Sequence, residues 1–179
     1  MEFSTLLEER RSIRDYTAGV SVSAEDIKKM IYAAQQAPSW KNSESGRYYA
    51  VISKEAAENL RVTCLPGFNR DRTIGAAGYI VATFKSGNAG FGPDGNPTDK
   101  LGNGWGAYDL GLQNENLILK ARELGYDTLI MGLRDEEKLR SMLSIPDDEI
   151  MVSVIAIGKR ASEPSKPQRR ELDEILKIF

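Results

Sequence analysis

The chain has 179 residues, enough for one domain with a real core, and a formal charge of -2 from 24 basic and 26 acidic residues. That balance supplies no strong field for nucleic acid or a membrane surface, and no apolar run is long enough to span a bilayer. A lone cysteine, Cys64, and the lack of histidine exclude an internal disulfide, Ser-His-Asp or Cys-His catalysis and a His-ligated metal. Catalysis, if present, falls to carboxylates and lysines or to a cofactor. The N-terminus, "MEFSTLLEERRSIRDY", is too charged for a signal peptide, which points to the cytoplasm.

In chain order, Phe3 to Arg10 predicts a short helix with Phe3, Leu6, Leu7 and Arg10 on one side, followed by an extended polar segment. Ser23, with Asp26 after it, starts a second helix. Its apolar positions Ile27, Met30, Ile31 and Ala34 recur at helical spacing, and Pro38 stops it. Tyr48 to Ser53 reads as a strand and Lys54 to Val62 as a helix. Tyr79 to Phe84 is a compact apolar run, a buried strand. The stretch from Lys85 to Gly106, "KSGNAGFGPDGNPTDKLGNGWG", reads as a binding loop or as a disordered excursion; Phe91 and Trp105 favour the former.

Ala107 to Leu124 predicts the longest helix, with Ala107, Leu110, Asn114, Leu117, Ile118, Ala121 and Leu124 on one face and Gly125 as its C-cap. Thr128 to Met131 reads as a strand, Asp135 to Leu143 as a helix and Ile150 to Ile157 as a strongly apolar strand. The tail, Lys159 to Phe179, is rich in Pro and Arg and ends in a short amphipathic helix. Its stripe of Leu172, Ile175, Leu176 and Phe179 needs a surface to cover it, and a partner subunit is one. Strands that alternate with helices give an α/β or α+β class, with no interdomain linker.

Four segments carry candidate chemistry. "RRSIR", Arg10 to Arg14, groups three guanidinium forks around a hydroxyl, suited to phosphate or equally to a solvated basic surface. "KPQRR", Lys166 to Arg170, offers the same choice near the other terminus. The polar loop Pro38-Ser39-Trp40-Lys41-Asn42-Ser43 is either a plain connection or one wall for a planar, polar ligand. In "TLIMGLRDEE" a strand runs through Gly132 into a helix, which can bring backbone N–H groups close to a ligand.

Taken in order, "EERRSIRDY", "AAQQAPSWKNSESGRYYAVIS", "AYDLGLQNENLILKARELGYDTLIMG", "DEEKLRSMLSIPDDEIMVSVIAIGK" and "KPQRRELDEIL" resemble the FMN-dependent nitroreductase family over nearly the whole chain. The resemblance implies an α+β fold with a central mixed, mostly antiparallel sheet flanked by helices. It implies a single domain spanning 1–179, a homodimer with FMN at its interface, and a C-terminal arm (159–179) that extends onto the partner, with the glycine-rich loop (85–106) near the active site. It implies ping-pong hydride transfer from NADH or NADPH through flavin N5 to an electron-poor small molecule such as a nitroaromatic or quinone. The alternatives on this fold are flavin fragmentation, dehalogenation, azoline oxidation, or flavin binding without turnover. No nucleic acid, membrane or metal enters this reading, and the flavin rather than a catalytic side chain carries the chemistry.

The resemblance also implies roles. Arg10, Arg11, Ser12 and Arg14 match the N-terminal flavin motif, with Arg10 and Ser12 on phosphate and ribityl groups and Arg14 near the pyrimidine edge. Lys166 and Arg169 would hold phosphate from the tail. Pro38, Ser39, Trp40 and Asn42 would reach FMN from the other subunit, Asn69 would touch the polar ring edge, and the backbone of Met131 and Gly132 would lie near N5. The chain departs from the family where Glu44, Ser45 and Gly46 replace the usual Gln-Pro-Trp, where Leu133 replaces a second glycine, and where the tail has an extra residue between its Lys-Pro and its Arg.

Overall fold

The computed structural model describes residues 2–179. Helix α1 (Phe3–Glu9) is followed by α2 (Ala24–Gln35), strand β1 (Gly46–Val51), α3 (Lys54–Cys64) and α4 (Gly67–Arg72). Strand β2 (Gly78–Lys85), the long α5 (Gly104–Glu123), β3 (Asp127–Met131), α6 (Glu136–Leu143), β4 (Glu149–Gly158) and a short α7 (Leu172–Ile175) complete the chain.

The strands form one four-stranded antiparallel sheet in the order β1-β2-β4-β3. A single parallel bridge, Ser12 to Thr128, attaches the N-terminal segment to the outer edge of β3 and makes the sheet mixed. Both central strands are covered on both faces, so β2 and β4 read as continuous apolar runs rather than alternating ones. Successive residues of β2 serve opposite faces. Tyr79 and Val81 join Leu60, Leu129 and Leu139, whereas Ile80 joins Met30, Leu117 and Ile157. Helices α3 and α6 therefore cover one face, and α2 and α5 the other.

Local chemistry sets several boundaries. The Ser23 hydroxyl accepts the Asp26 N–H at 3.0 Å, and the Asp135 carboxylate accepts the Lys138 N–H at 3.1 Å, each an N-cap. Gly125 ends α5 with φ of 84°, a conformation that favours glycine. The first strand begins at Gly46, two residues before the expected Tyr48, because Gly46 and Arg47 pair with Phe84 and Thr83. Helix α4 and a single turn of 3-10 helix at Trp40–Asn42 are additions to the predicted elements. No helix among the described residues is long and apolar enough to cross a membrane.

The glycine-rich segment is an ordered loop. Gly87 N–H donates to Asn103 Oδ1 at 2.8 Å, and Asn103 Nδ2 donates to Ser86 Oγ at 3.1 Å. The Trp105 indole N–H donates to Asp99 at 2.9 Å, and Phe91 bridges Pro97. Beyond Pro164 the tail leaves the body: its hydrogen bonds stay internal, and Leu172, Ile175 and Ile178 are 69 %, 67 % and 87 % exposed.

Candidate active site

The sequence candidates fall into three places. The first is the outer edge of β3. Ile13 is buried in the core and its N–H donates to the Thr128 carbonyl at 3.0 Å. With Ile13 turned inward, the flanking Ser12 and Arg14 are both exposed. Arg14 donates to the Ser12 carbonyl at 3.1 Å, and Arg11 to the Arg10 carbonyl at 2.7 Å. The Nε of Arg11 is buried with no partner. Since Thr128 points its carbonyl outward to Ile13, the two-residue period of a strand turns the backbone groups of Ile130 outward as well. Met131 instead pairs with Val154 and buries its side chain in the core. Gly132 follows at the strand end, exposed. Its carbonyl accepts a hydrogen bond from Arg134.

Asn69 lies at this same strand end. It is buried, and its Nδ2 donates to the Leu133 carbonyl at 2.9 Å, which fixes the β3–α6 connection. The same helix, α4, carries Arg72 over the ring of Phe68 at 5.4 Å, a cation–aromatic pair that the sequence reading did not single out.

The second place is the loop before β1. Pro38 and Asn42 are exposed, and Ser39 and Trp40 are half-buried. Trp40 N–H donates at 2.9 Å to Asp109, whose carboxylate is buried on α5. Ser39 Oγ accepts from Glu44 N–H at 3.1 Å, and Asn42 Nδ2 donates to Glu44 at 3.2 Å. Lys41, Asn42 and Glu44 have φ of 47°, 55° and 46°, a left-handed conformation that carries strain in non-glycine residues and persists only where the surroundings enforce it. The departure at Glu44–Gly46 has a local consequence. A side chain at Gly46 would begin 2.1 Å from Gln113 Oε1, so Gln113 on α5 fills that side of the strand. Beside it, Ile31, Gln35 and Tyr48 help enclose a cavity of about 210 Å³. Asp109 and Gln113 were missed at the sequence level; their polar character on a helix with buried neighbours on both sides was the available signal.

The third place is the tail, where Lys166 and Arg169 are exposed. Its root, by contrast, is tightly held. Arg160 donates to Asp127 through its backbone N–H at 3.0 Å and its guanidinium at 2.6 and 3.0 Å, and also reaches the Glu9 carbonyl at 3.4 Å. Arg122 joins Asp127 at 3.4 Å to Glu9 at 2.9 Å. Hydrogen bonding from Asp127 leads the causes that hold the Arg160 guanidinium more firmly protonated than usual. One buried carboxylate thus ties the segment ahead of Arg10, the start of β3 and the base of the arm.

The first two places sit at opposite edges of the sheet. Crossing from β1 to β3 takes three strand spacings, roughly 14 Å. The chain therefore presents two separated clusters of candidate residues and a cationic arm.

The Nitroreductase family model matches residues 7–159. Among curated sequences, the chain is 26% identical to "Putative NAD(P)H nitroreductase YdgI" of Bacillus subtilis (strain 168), over 97% of this chain and 96% of that protein. Among solved structures, a nitroreductase family protein from Streptococcus pneumoniae TIGR4 superposes with a TM-score of 0.85 at 20% identity, covering 99% of this chain and 100% of that one. A structure from Exiguobacterium sibiricum 255-15, solved in complex with FMN, superposes with a TM-score of 0.81 at 22% identity, covering 100% and 98%. With the α+β architecture, the order of its motifs and a family match over most of its length, the chain belongs to the nitroreductase family of oxidoreductases.

Proposed function

We propose that the chain is a cytoplasmic, homodimeric FMN-dependent oxidoreductase that takes reducing equivalents from NADH or NADPH and delivers them to an electron-poor acceptor such as a nitroaromatic or a quinone. The observation that carries this reading is the separation of the two candidate clusters at opposite edges of the sheet, which a second copy would bring together. The edge of β3 fits a flavin: Ser12 and Arg14 face outward, and the outward backbone of Ile130 beside Gly132 offers a ladder for the polar edge of a planar ring. The unpartnered Arg11 Nε and the exposed apolar side chains of Ile130 and Leu133 suit the same occupant.

When bound, FMN supplies a site that accepts a hydride and releases it to a second substrate on the same face. The residues of this chain orient and tune. Arg10, Arg11 and Ser12 bind phosphate and ribityl oxygens, and Arg14 sets a fixed positive charge at the ring's pyrimidine edge, where reduction places negative charge. Asn69 and Met131 hold the strand end so that Gly132 keeps its place. Pro38, Ser39, Trp40 and Asn42 of a second copy close the opposite side and exclude water, and Lys166 and Arg169 bring further cations to the phosphate from the arm. The exposed apolar residues of α1 and of the arm form the contact between copies.

Purified protein is expected to be yellow and to bleach anaerobically on addition of NADH or NADPH. Colourless protein that takes up no FMN in titration overturns the reading. A flavin that dithionite bleaches and neither nicotinamide does removes the oxidoreductase cycle. Arg14→Ala is expected to lower the reduction potential of the bound flavin, and an unchanged potential removes its electrostatic role.

A further inference from the structure

The strained loop and the glycine-rich loop face each other across an open, shallow cavity of about 540 Å³. Its walls include Trp40 and Lys41 from one side, Phe91 and Asn88 from the other, and Lys85 at the end of β2. Both walls are built in advance. Asp109 holds the Trp40 N–H, while the Gly87–Asn103 and Phe91–Pro97 contacts hold the glycine-rich loop. The lining contains two aromatic rings, two lysines and no carboxylate.

The two lysines differ. Lys85 is paired with Asp148 at 2.8 Å. Lys41 instead places its ammonium 4.5 Å from the centre of the Trp40 ring, a contact that leaves its hydrogen-bonding protons free. A strained backbone, φ of 47°, holds Lys41 there. The cavity therefore combines aromatic walls with one ammonium held by a cation–aromatic contact rather than an ion pair, so an incoming anion gains a charge-assisted hydrogen bond without breaking a salt bridge.

We propose that this cavity binds aromatic or quinonoid molecules that carry a carboxylate or similar anionic group, and that Lys41 selects them over neutral analogues. This deepens the proposed function, on which it rests only for the bound molecule being the electron acceptor. The loop that carries Lys41 is the one the proposed function assigns to the flavin of a second copy, and on that assignment the bound molecule would be an acceptor.

The test uses two nitroaromatics of similar shape, 4-nitrobenzoate and 4-nitrobenzamide, and the FMN-loaded protein with NADH or NADPH as donor. Lys41→Gln is expected to raise the ratio of their KM values, benzoate over benzamide, by about tenfold, and added salt to narrow the difference in the parent protein. A ratio that does not move overturns the proposal, as does a parent protein that binds both equally. Equilibrium titration of each compound against tryptophan fluorescence, in the protein as purified, gives the same comparison without turnover. If the protein neither holds flavin nor turns over either compound, the oxidoreductase reading falls. The titration then still decides the cavity: tighter binding of the benzoate that Lys41→Gln abolishes supports it, and equal binding ends it.

Discussion

The two basic segments, Arg10 to Arg14 and Lys166 to Arg170, are alike in composition and opposite in setting. The first is woven into the fold: Ile13 is buried, Ser12 bridges Thr128, and the turn before it is tied to Asp127 through Arg160 and Arg122. The second stands on an arm whose hydrogen bonds beyond Pro164 are its own. A four-residue helix with an exposed leucine and an exposed isoleucine has too little hydrogen bonding to hold itself and must be stabilised by what it covers. The difference shows a division of labour. On the proposed function, folding alone positions one anion-binding segment and assembly the other.

That comparison can be broken at the root of the arm, where both segments meet. Asp127 and Arg160 have side chains only 4% and 12% exposed. Removing one partner of a buried ion pair leaves the other uncompensated, so Asp127→Ala is expected to cost about 3–5 kcal/mol of folding stability. Chemical denaturation measures this, and a loss under about 1 kcal/mol would show that the clamp does not organise the first segment. Deletion of residues 164–179 sharpens the contrast from the other side. The far-ultraviolet circular dichroism should change little, while sedimentation shifts from dimer to monomer and FMN affinity falls about tenfold or more. A truncated chain that stays dimeric would return the arm to a mere tail.

A smaller effect separates the body from the arm by pH. Burial, with the Glu149 carboxylate accepting its hydroxyl at 2.9 Å, pushes Tyr49 up to about 12, and burial pushes Tyr79 up to about 12. Tyr16 and Tyr48 are pushed up by burial as well. In the unfolded chain these phenols ionise near their ordinary value of about 10. Raised folded values mean that the stabilisation is complete below pH of about 10 and is lost as pH climbs toward 12. Tyr49→Phe should flatten that decline slightly. None of these tyrosines lies on the arm.

Much of the fold was legible because its signals are local. Ser23, Asp135 and Gly125 mark helix ends by chemistry that needs only neighbouring residues, and the apolar runs of β2 and β4 announce strands covered on both faces. Helix α4 was not legible. Six residues, "GFNRDR", show no periodicity, and what fixes them is tertiary, above all the bond from Asn69 to the Leu133 carbonyl. The same holds for the glycine-rich loop, whose order comes from pairs such as Gly87 with Asn103 and Trp105 with Asp99. At the site, the sequence pointed to Ser12 and Arg14, which the structure leaves facing outward. It did not reveal the partner of Asp109: a polar residue among buried neighbours on α5 marks a role, but the loop it braces lies sixty-nine residues away in sequence.

The close approach of Gln113 to Gly46 has an evolutionary corollary. Any side chain at position 46 would meet the Gln113 amide, and turning that amide away would also remove its hydrogen bond to the Tyr48 hydroxyl at 3.3 Å. The two positions are a single choice: bulk enters the pocket either from the strand or from the helix. In descendants or designed variants of this chain, a large residue at 46 is expected to appear together with a shorter one at 113, and neither change alone.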